Sequence, residues 1–195
     1  MSAWSGEDAK GHRTGLAGLV RELARIDGLA RIRYTTSHPA DMDEEIIAAH
    51  GEIEKLMPFL HLPVQAGNNR VLKAMNRSHT VESYLSLLER FRTARPDLAL
   101  SGDFIVGFPG ETEAEFKDTL KLVDEVAYAQ AFSFKYSPRP GTPAAGMDGQ
   151  ISAEVMKDRL ARLQDRLNRD QHAFNTASVG RTCEVLVERK GKLPG

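Results

Sequence analysis

The feature that most constrains this chain is an alternation of amphipathic helical stretches with short β-branched runs, recurring about every thirty residues. Leu16, Leu19, Val20, Leu23 and Ile26 fall at helical spacing, and Asp27-Gly28 closes that segment. Ile32 to Thr36 is strand-like and breaks at His38-Pro39, because a residue before proline is pushed out of the α region. Asp43 caps a helix carrying Ile46, Ile47, Ile53 and Leu56, which stops at Pro58. Phe59 to Val64 is the next apolar run, and Val71, Leu72 and Met75 make a short helical turn. Thr80 caps a longer helix bearing Tyr84, Leu87, Leu88 and Phe91, and Leu98 to Val106 reads as a strand. Thr112 with Glu115 forms a capping box for a helix through Val126, and Ala131 to Tyr136 is strand-like again. Ser152 opens the longest helix, with Met156, Leu160, Leu163, Leu167 and Phe174 on one stripe, and Thr182 to Glu188 alternates like a strand.

Successive βα units predict an α/β fold, either an open parallel sheet or part of a barrel, with the chemistry at the carboxyl ends of the strands. A barrel that begins on a helix is incomplete, so the chain reads as a piece of a longer protein. The expected divisions are a loop with a residual strand end over 1–12, a partial barrel over 13–177, and the truncated start of a β domain over 178–195. Met1 to Gly15, small, polar and Gly-rich, is expected to be loop.

Charge and cysteine content narrow the classes. The 26 basic and 27 acidic side chains leave a formal charge of −1, so no overall polyanion-binding character is present, although local patches remain open. Cys183 is the sole cysteine, which excludes an intramolecular disulfide and any Cys-based zinc or iron–sulfur site built from this chain alone. No apolar run approaches the ~20 residues of a membrane span. A cytoplasmic protein without membrane association is expected.

The strand-end loops carry the candidate chemistry. Ser37 and His38 end one strand, either as ligand contacts or as an ordinary turn. Gln65 sits where His61-Leu62-Pro63-Val64 runs into a Gly-Asn-Asn loop, and its amide can both donate and accept. Asp103 to Thr112 combines a strand end with a Gly-Phe-Pro-Gly turn whose backbone can approach a ligand closely, or which simply turns the chain. It is no P-loop, since the required Lys and Ser/Thr are absent. Arg139, in a Pro-stiffened loop, could fork onto a carboxylate or phosphate. Arg159, Arg162, Arg166 and Arg169 lie at helical spacing, as an RNA-backbone contact or a solvated face interleaved with Asp158, Asp165 and Asp170. Cys183 sits among alternating apolar residues, in the manner of a packed thiol.

Five segments in order resemble the radical S-adenosylmethionine methylthiotransferases: Arg33 to Pro39, Phe59 to Gly67, Arg70 to Arg77, Asp103 to Thr112 and Ser137 to Ala145. The resemblance spans Ala3 to Gly195. Thr-Thr-Ser-His-Pro and His-Leu-Pro-Val-Gln resemble the tRNA-modifying, MiaB-type branch. It implies a partial (βα) radical-SAM barrel holding S-adenosylmethionine at its mouth, followed by a tRNA-gripping TRAM β domain of which Arg181 to Gly195 resembles the first strand. It implies a [4Fe-4S] cluster that cleaves the cofactor to a deoxyadenosyl radical, and a methylthio group placed at C2 of an isopentenylated adenosine beside the anticodon of tRNA. By the same resemblance, Ser37, His38, Gln65, Asp103 and the backbone of Ile105, Val106 and Gly107 contact the cofactor. Arg139, Arg159, Arg162 and Arg166 are assigned to the substrate.

The departure from the family is its cluster-binding Cys-x3-Cys-x2-Cys loop and N-terminal cysteines, absent from this sequence. The chain alone is therefore expected to bind no [4Fe-4S] cluster, to hold no catalytic or metal-ligating residue and to be inactive, with a missing N-terminal region and an open strand edge able to dimerise. Ala3 to Gly6 resembles the end of a barrel strand. The competing readings are a non-catalytic binding or scaffold module, a methylthiotransferase for a related nucleoside, and a sugar-phosphate barrel enzyme. The last needs eight βα units and a catalytic Lys or Glu at a strand end, and neither is found.

Overall fold

A computed structural model describes residues 4–7, 11–35 and 38–187. The chain enters through a hairpin in which β1 (Ser5–Glu7) pairs antiparallel with β2 (Arg13–Gly15). This pairing corrects the loop expected over Met1 to Gly15 and the barrel-strand end expected at Ala3 to Gly6 only where they fall on Ser5–Glu7 and Arg13–Gly15; residues 1–3 and 8–10 lie outside the described residues. A strand's N–H and C=O groups take the partner within reach, and for β1 that is β2 rather than the parallel sheet.

Helix α1 (Leu16–Ala24) buries Leu16, Ala17 and Val20. Helix α2 (Glu44–Glu52) starts where the Asp43 carboxylate accepts the Ile46 N–H at 2.9 Å, and ends as Ile53 turns extended. Ile53 and Leu56 thus lie beyond the helix expected to carry them. Leu56 instead forms a parallel bridge with Ile32, and that bridge is what remains of the strand expected over Ile32 to Thr36. The segment finds a neighbour at one position only, and Thr36 lies outside the described residues.

Three strands form the main sheet: β3 (Phe59–His61), β4 (Ala99–Val106) and β5 (Gln130–Lys135), parallel and in that order. Between them run α3 (Asn69–Ala74), α4 (Val81–Ala94) and α5 (Glu113–Val126), with α6 (Ala153–Ala177) after β5. Thr80, Thr112 and Ser152 cap their helices through the side chain, and the Thr112–Glu115 capping box is formed reciprocally. These are the stops and starts the sequence pattern specifies.

Alternation along β4 divides the sheet into two faces. Leu100, Phe104 and Val106 are buried with Leu60, Leu62, Val64, Phe116, Val123 and Leu163 in the main core. Ser101, Asp103 and Ile105 take the other face, level with His61, Phe132 and Phe134 through the strand register. Residues 182–187 adopt no regular structure and are exposed, against the strand expected over Thr182 to Glu188. An alternating pattern specifies a strand only where a neighbour completes its hydrogen bonds.

One buried titratable group makes stability pH-dependent. His50 is fully buried, its Nε2 lies 2.6 Å from the Tyr34 hydroxyl, and the Arg95 guanidinium donates to its carbonyl at 3.1 Å. Burial first, and the Arg95 charge second, push the imidazole down to about 4. The unfolded chain therefore binds a proton that the folded chain refuses. Stability is complete above the ordinary value of 6.5 and falls as the pH drops from there toward 4. The loss amounts to about 3 kcal/mol at one proton per histidine. Urea unfolding across that window should show it, and His50→Gln should flatten the dependence.

Candidate functional site

The carboxyl ends of β3 and β4 meet at Gln65. Its N–H donates to the Asp103 carbonyl at 2.9 Å and its carbonyl accepts from the Ile105 N–H at 2.9 Å, forming a parallel bridge beside Phe104. Gln65 has φ of +78°, in the left-handed region that a non-glycine residue occupies only when its surroundings impose it. The next residues are fixed just as tightly. The Gly67 N–H donates to Thr119 Oγ1 at 2.9 Å, and a β-carbon on Gly67 would meet the Thr119 backbone at 2.5 Å, so glycine is required by close approach. Asn68 caps α3 and donates to Asp118 at 2.9 Å.

Gln65, Asp103 and Ile105 line a cavity of about 580 Å³, together with Arg77, Tyr136 and Arg139. The register therefore brings together residues from three separate stretches of sequence. Asp103 Oδ2 lies 3.5 Å from His61 Nε2, and His61 Nδ1 lies 3.0 Å from the Ser101 hydroxyl. His61 and Ser101 orient the Asp103 carboxylate. That role was missed from the sequence, because His61 stands on β3 and meets Ser101 and Asp103 of β4 only through the register of the two strands.

The structure separates the other expected contacts. Ile105 lines the cavity, but Val106 is buried in the core and its carbonyl accepts the Tyr136 N–H at 2.8 Å. Gly107, at φ +76°, has its N–H engaged by Glu111 Oε2 at 2.7 Å. The Val106 carbonyl and the Gly107 N–H are thus engaged within the protein, and of the three expected backbone contacts only Ile105 belongs to a residue lining the cavity. His38 caps a short 3-10 turn through Nδ1, which accepts the Ala40 N–H at 3.2 Å, and lies edge-on to His79 with ring centroids 5.7 Å apart. Ser37 lies outside the described residues.

The arginines expected to touch substrate from α6 do other work. The Arg159 side chain is 5% exposed, and its Nη1 donates to Glu111 Oε2 at 2.8 Å and to the Glu111 carbonyl at 3.0 Å. Burial pushes the Glu111 carboxyl up, while the Gly107 N–H and the Arg159 charge pull it down. Arg162 holds Glu113 at 2.7 Å and Asp158 at 3.0 Å and lies over the Phe116 ring, and Arg166 pairs with Asp124. Three of the four arginines of the expected stripe, Arg159, Arg162 and Arg166, are therefore ion-paired with carboxylates of this chain. Arg70 is likewise spent, on Glu115 and on the Gly110 carbonyl at 2.7 Å, and it holds the Glu115 carboxyl down at about 2. Cys183 is exposed rather than packed. Among the described residues no group of three His, Cys, Asp or Glu side chains is placed to hold a metal ion, and no helix is long and apolar enough to cross a membrane.

Residues 8–123, more than half of the chain, match the family model of the Radical SAM superfamily. The chain belongs to the radical SAM superfamily. Membership implies S-adenosylmethionine and a [4Fe-4S] cluster as the family's cofactors. The whole chain is 78% identical to the tRNA-2-methylthio-N(6)-dimethylallyladenosine synthase of Erythrobacter litoralis and 73% identical to that of Novosphingobium aromaticivorans. It is 57% identical over 194 residues to the enzyme of the same name from Agrobacterium fabrum. The chain spans 44%, 44% and 43% of the length of these three relatives.

The Glu111–Arg159 pair ties the loop after β4 to α6, and removing one partner should cost more than removing both. Arg159→Met strands a buried carboxylate and should cost about 3–5 kcal/mol, whereas adding Glu111→Gln should recover part of that loss. A double-mutant cycle by urea unfolding measures the coupling.

Proposed function

We propose that this chain is the cofactor-facing part of a tRNA methylthiotransferase, a partial (βα) barrel that binds S-adenosylmethionine at the carboxyl ends of β3 and β4. The observation that carries this reading is the joint placement of Gln65, Asp103 and Ile105 on one cavity. The residues fit the cofactor's parts. The Asp103 carboxylate, oriented by His61, accepts from a ribose hydroxyl or from the methionyl ammonium. The Gln65 amide donates and accepts at the same rim, and the Ile105 side chain gives an apolar surface for a base. Arg139 supplies a planar fork for the methionyl carboxylate or a substrate phosphate.

The substrate follows from the names of the relatives: an N6-dimethylallyl adenosine of tRNA, read here as the one beside the anticodon, which gains a methylthio group at C2. S-adenosylmethionine supplies radical chemistry to such an enzyme when bound. The chain's own part is to bind and orient the cofactor and to exclude water from its sheet-facing side. An iron–sulfur cluster does not fit the residues present, because the sequence has one cysteine and that residue is exposed. No step is assigned to a cluster on this chain. A cytoplasmic setting, where tRNA is modified, accompanies this reading.

Isothermal titration with S-adenosylmethionine tests the assignment. Gln65→Ala and Asp103→Ala should each weaken binding about tenfold, the equivalent of roughly 1.4 kcal/mol. Arg166→Gln, remote from the cavity, should bind as the unmodified chain does. Unchanged affinity in both alanine variants would remove Gln65 and Asp103 from the cofactor site.

A further inference from the structure

A second cavity, of about 610 Å³, adjoins the first at the same end of the sheet. Met75, Phe108 and Met147 give it apolar walls, Lys73 stands at its edge, and it shares Arg77 and Tyr136 with the first cavity. Asn76, at φ +57°, ends α3, and the Arg77 N–H closes the helix on the Leu72 carbonyl at 2.9 Å. That turn sends the chain back toward the sheet and delivers Arg77 to the wall between the cavities.

At this wall Arg77 Nε and the Tyr136 hydroxyl are both buried and have no hydrogen-bond partner. A buried donor without an acceptor is costly, and native structures rarely keep one without a reason. Two such donors on residues lining the same two cavities match a group that only accepts, such as a phosphate. The charges agree. Lys73, Arg77, Lys135 and Arg139 line the two cavities, and none of them is ion-paired among the described residues. Arg70, Arg159, Arg162 and Arg166 are all tied to carboxylates elsewhere. Free cations spread over both cavities fit more than one phosphate, as a strand offers and a nucleoside monophosphate does not.

We infer that the second cavity is a nucleotide subsite for single-stranded RNA: an unstacked base lies against Met75, Phe108 and Met147, and the adjoining backbone phosphate is held by Arg77 and Lys73. The inference rests on reading the chain as part of a tRNA-modifying enzyme, and it adds residues and a cavity that the cofactor assignment does not use. Base–apolar contact supplies sequence-tolerant affinity and the cations supply the salt-dependent part.

Fluorescence anisotropy of a short, labelled, adenine-rich single-stranded RNA, titrated with the full chain at several salt concentrations, reads both parts. Arg77→Gln and Lys73→Gln should each weaken binding about fivefold and lower the slope of log K against log salt by about 0.7, the value for one phosphate on a single strand. Met147→Ala should weaken binding about threefold with the slope unchanged. Arg90→Gln, on α4 and paired with Glu44, should match the unmodified chain in both. Three results would overturn the inference: no RNA binding at low salt, Arg77→Gln and Lys73→Gln both binding normally, or Arg90→Gln losing as much as they do. Equal binding of adenosine monophosphate and the strand would overturn the assignment to a strand in favour of a free nucleotide. None of these readouts involves S-adenosylmethionine, so failure here is distinct from failure of the cofactor assignment, which is read by titration of Gln65→Ala and Asp103→Ala.

Discussion

Strand β4 is hydrogen-bonded on both edges, and the site takes its coordinates from that fact. On one side the parallel ladder to β3 runs past the last regular residue and finishes at Gln65, clasped between Asp103 and Ile105. On the other side β5 is paired along its whole length, which sets Phe132 beside Asp103 and Phe134 beside Ile105. A slip of one residue in either pairing would turn every one of these side chains to the opposite face. The helices prevent the slip, because Leu60, Leu62, Phe104 and Val106 fit the core on one face only.

The distribution of charge separates cations that are ion-paired within the fold from cations that line the cavities. Arginines on α3 and α6 are consumed in holding loops and helices together, most completely at Arg159, whose guanidinium is enclosed with Glu111. Of the cations left unpaired around the two cavities, Arg77 and Arg139 sit on the connections after α3 and β5, Lys73 lies in the last turn of α3 and Lys135 ends β5. A near-neutral chain can thus still present a local positive rim where the strands end.

Much of this was legible in the sequence, for physical reasons that differ by element. Asp43, Thr80, Thr112 and Ser152 announced their helices because a cap is a local hydrogen bond, closed within a few residues. Gln65 and Asp103 could be picked out because strand ends in βα units are where polar side chains converge. The segments Ile32 to Thr36 and Thr182 to Glu188 misled because strand formation depends on a neighbour that a one-dimensional pattern does not contain. Arg159 misled for a related reason. Helical spacing placed it on a stripe with Arg162 and Arg166, but the stripe faces α5 and the carboxylate at Glu111, which is far away in sequence. The His61–Asp103–Ser101 contact needed the strand register before it could be seen.

The approach of Gly67 to Thr119 has a consequence for how such a protein can vary. The loop after β3 rests its backbone directly on the first half of α5, and Asn68 reaches across to Asp118 on the same helix. The two loops that frame the cavities therefore share one mechanical footing and are inherited as a unit. A chimera that takes residues 65–77 from a distant relative without residues 107–119 would seat a new loop on the wrong pedestal. Divergence in substrate preference within this architecture is expected to come from paired exchanges, and the connection after β5 is drawn into them where the Gly110 N–H donates to the Gly149 carbonyl at 2.8 Å.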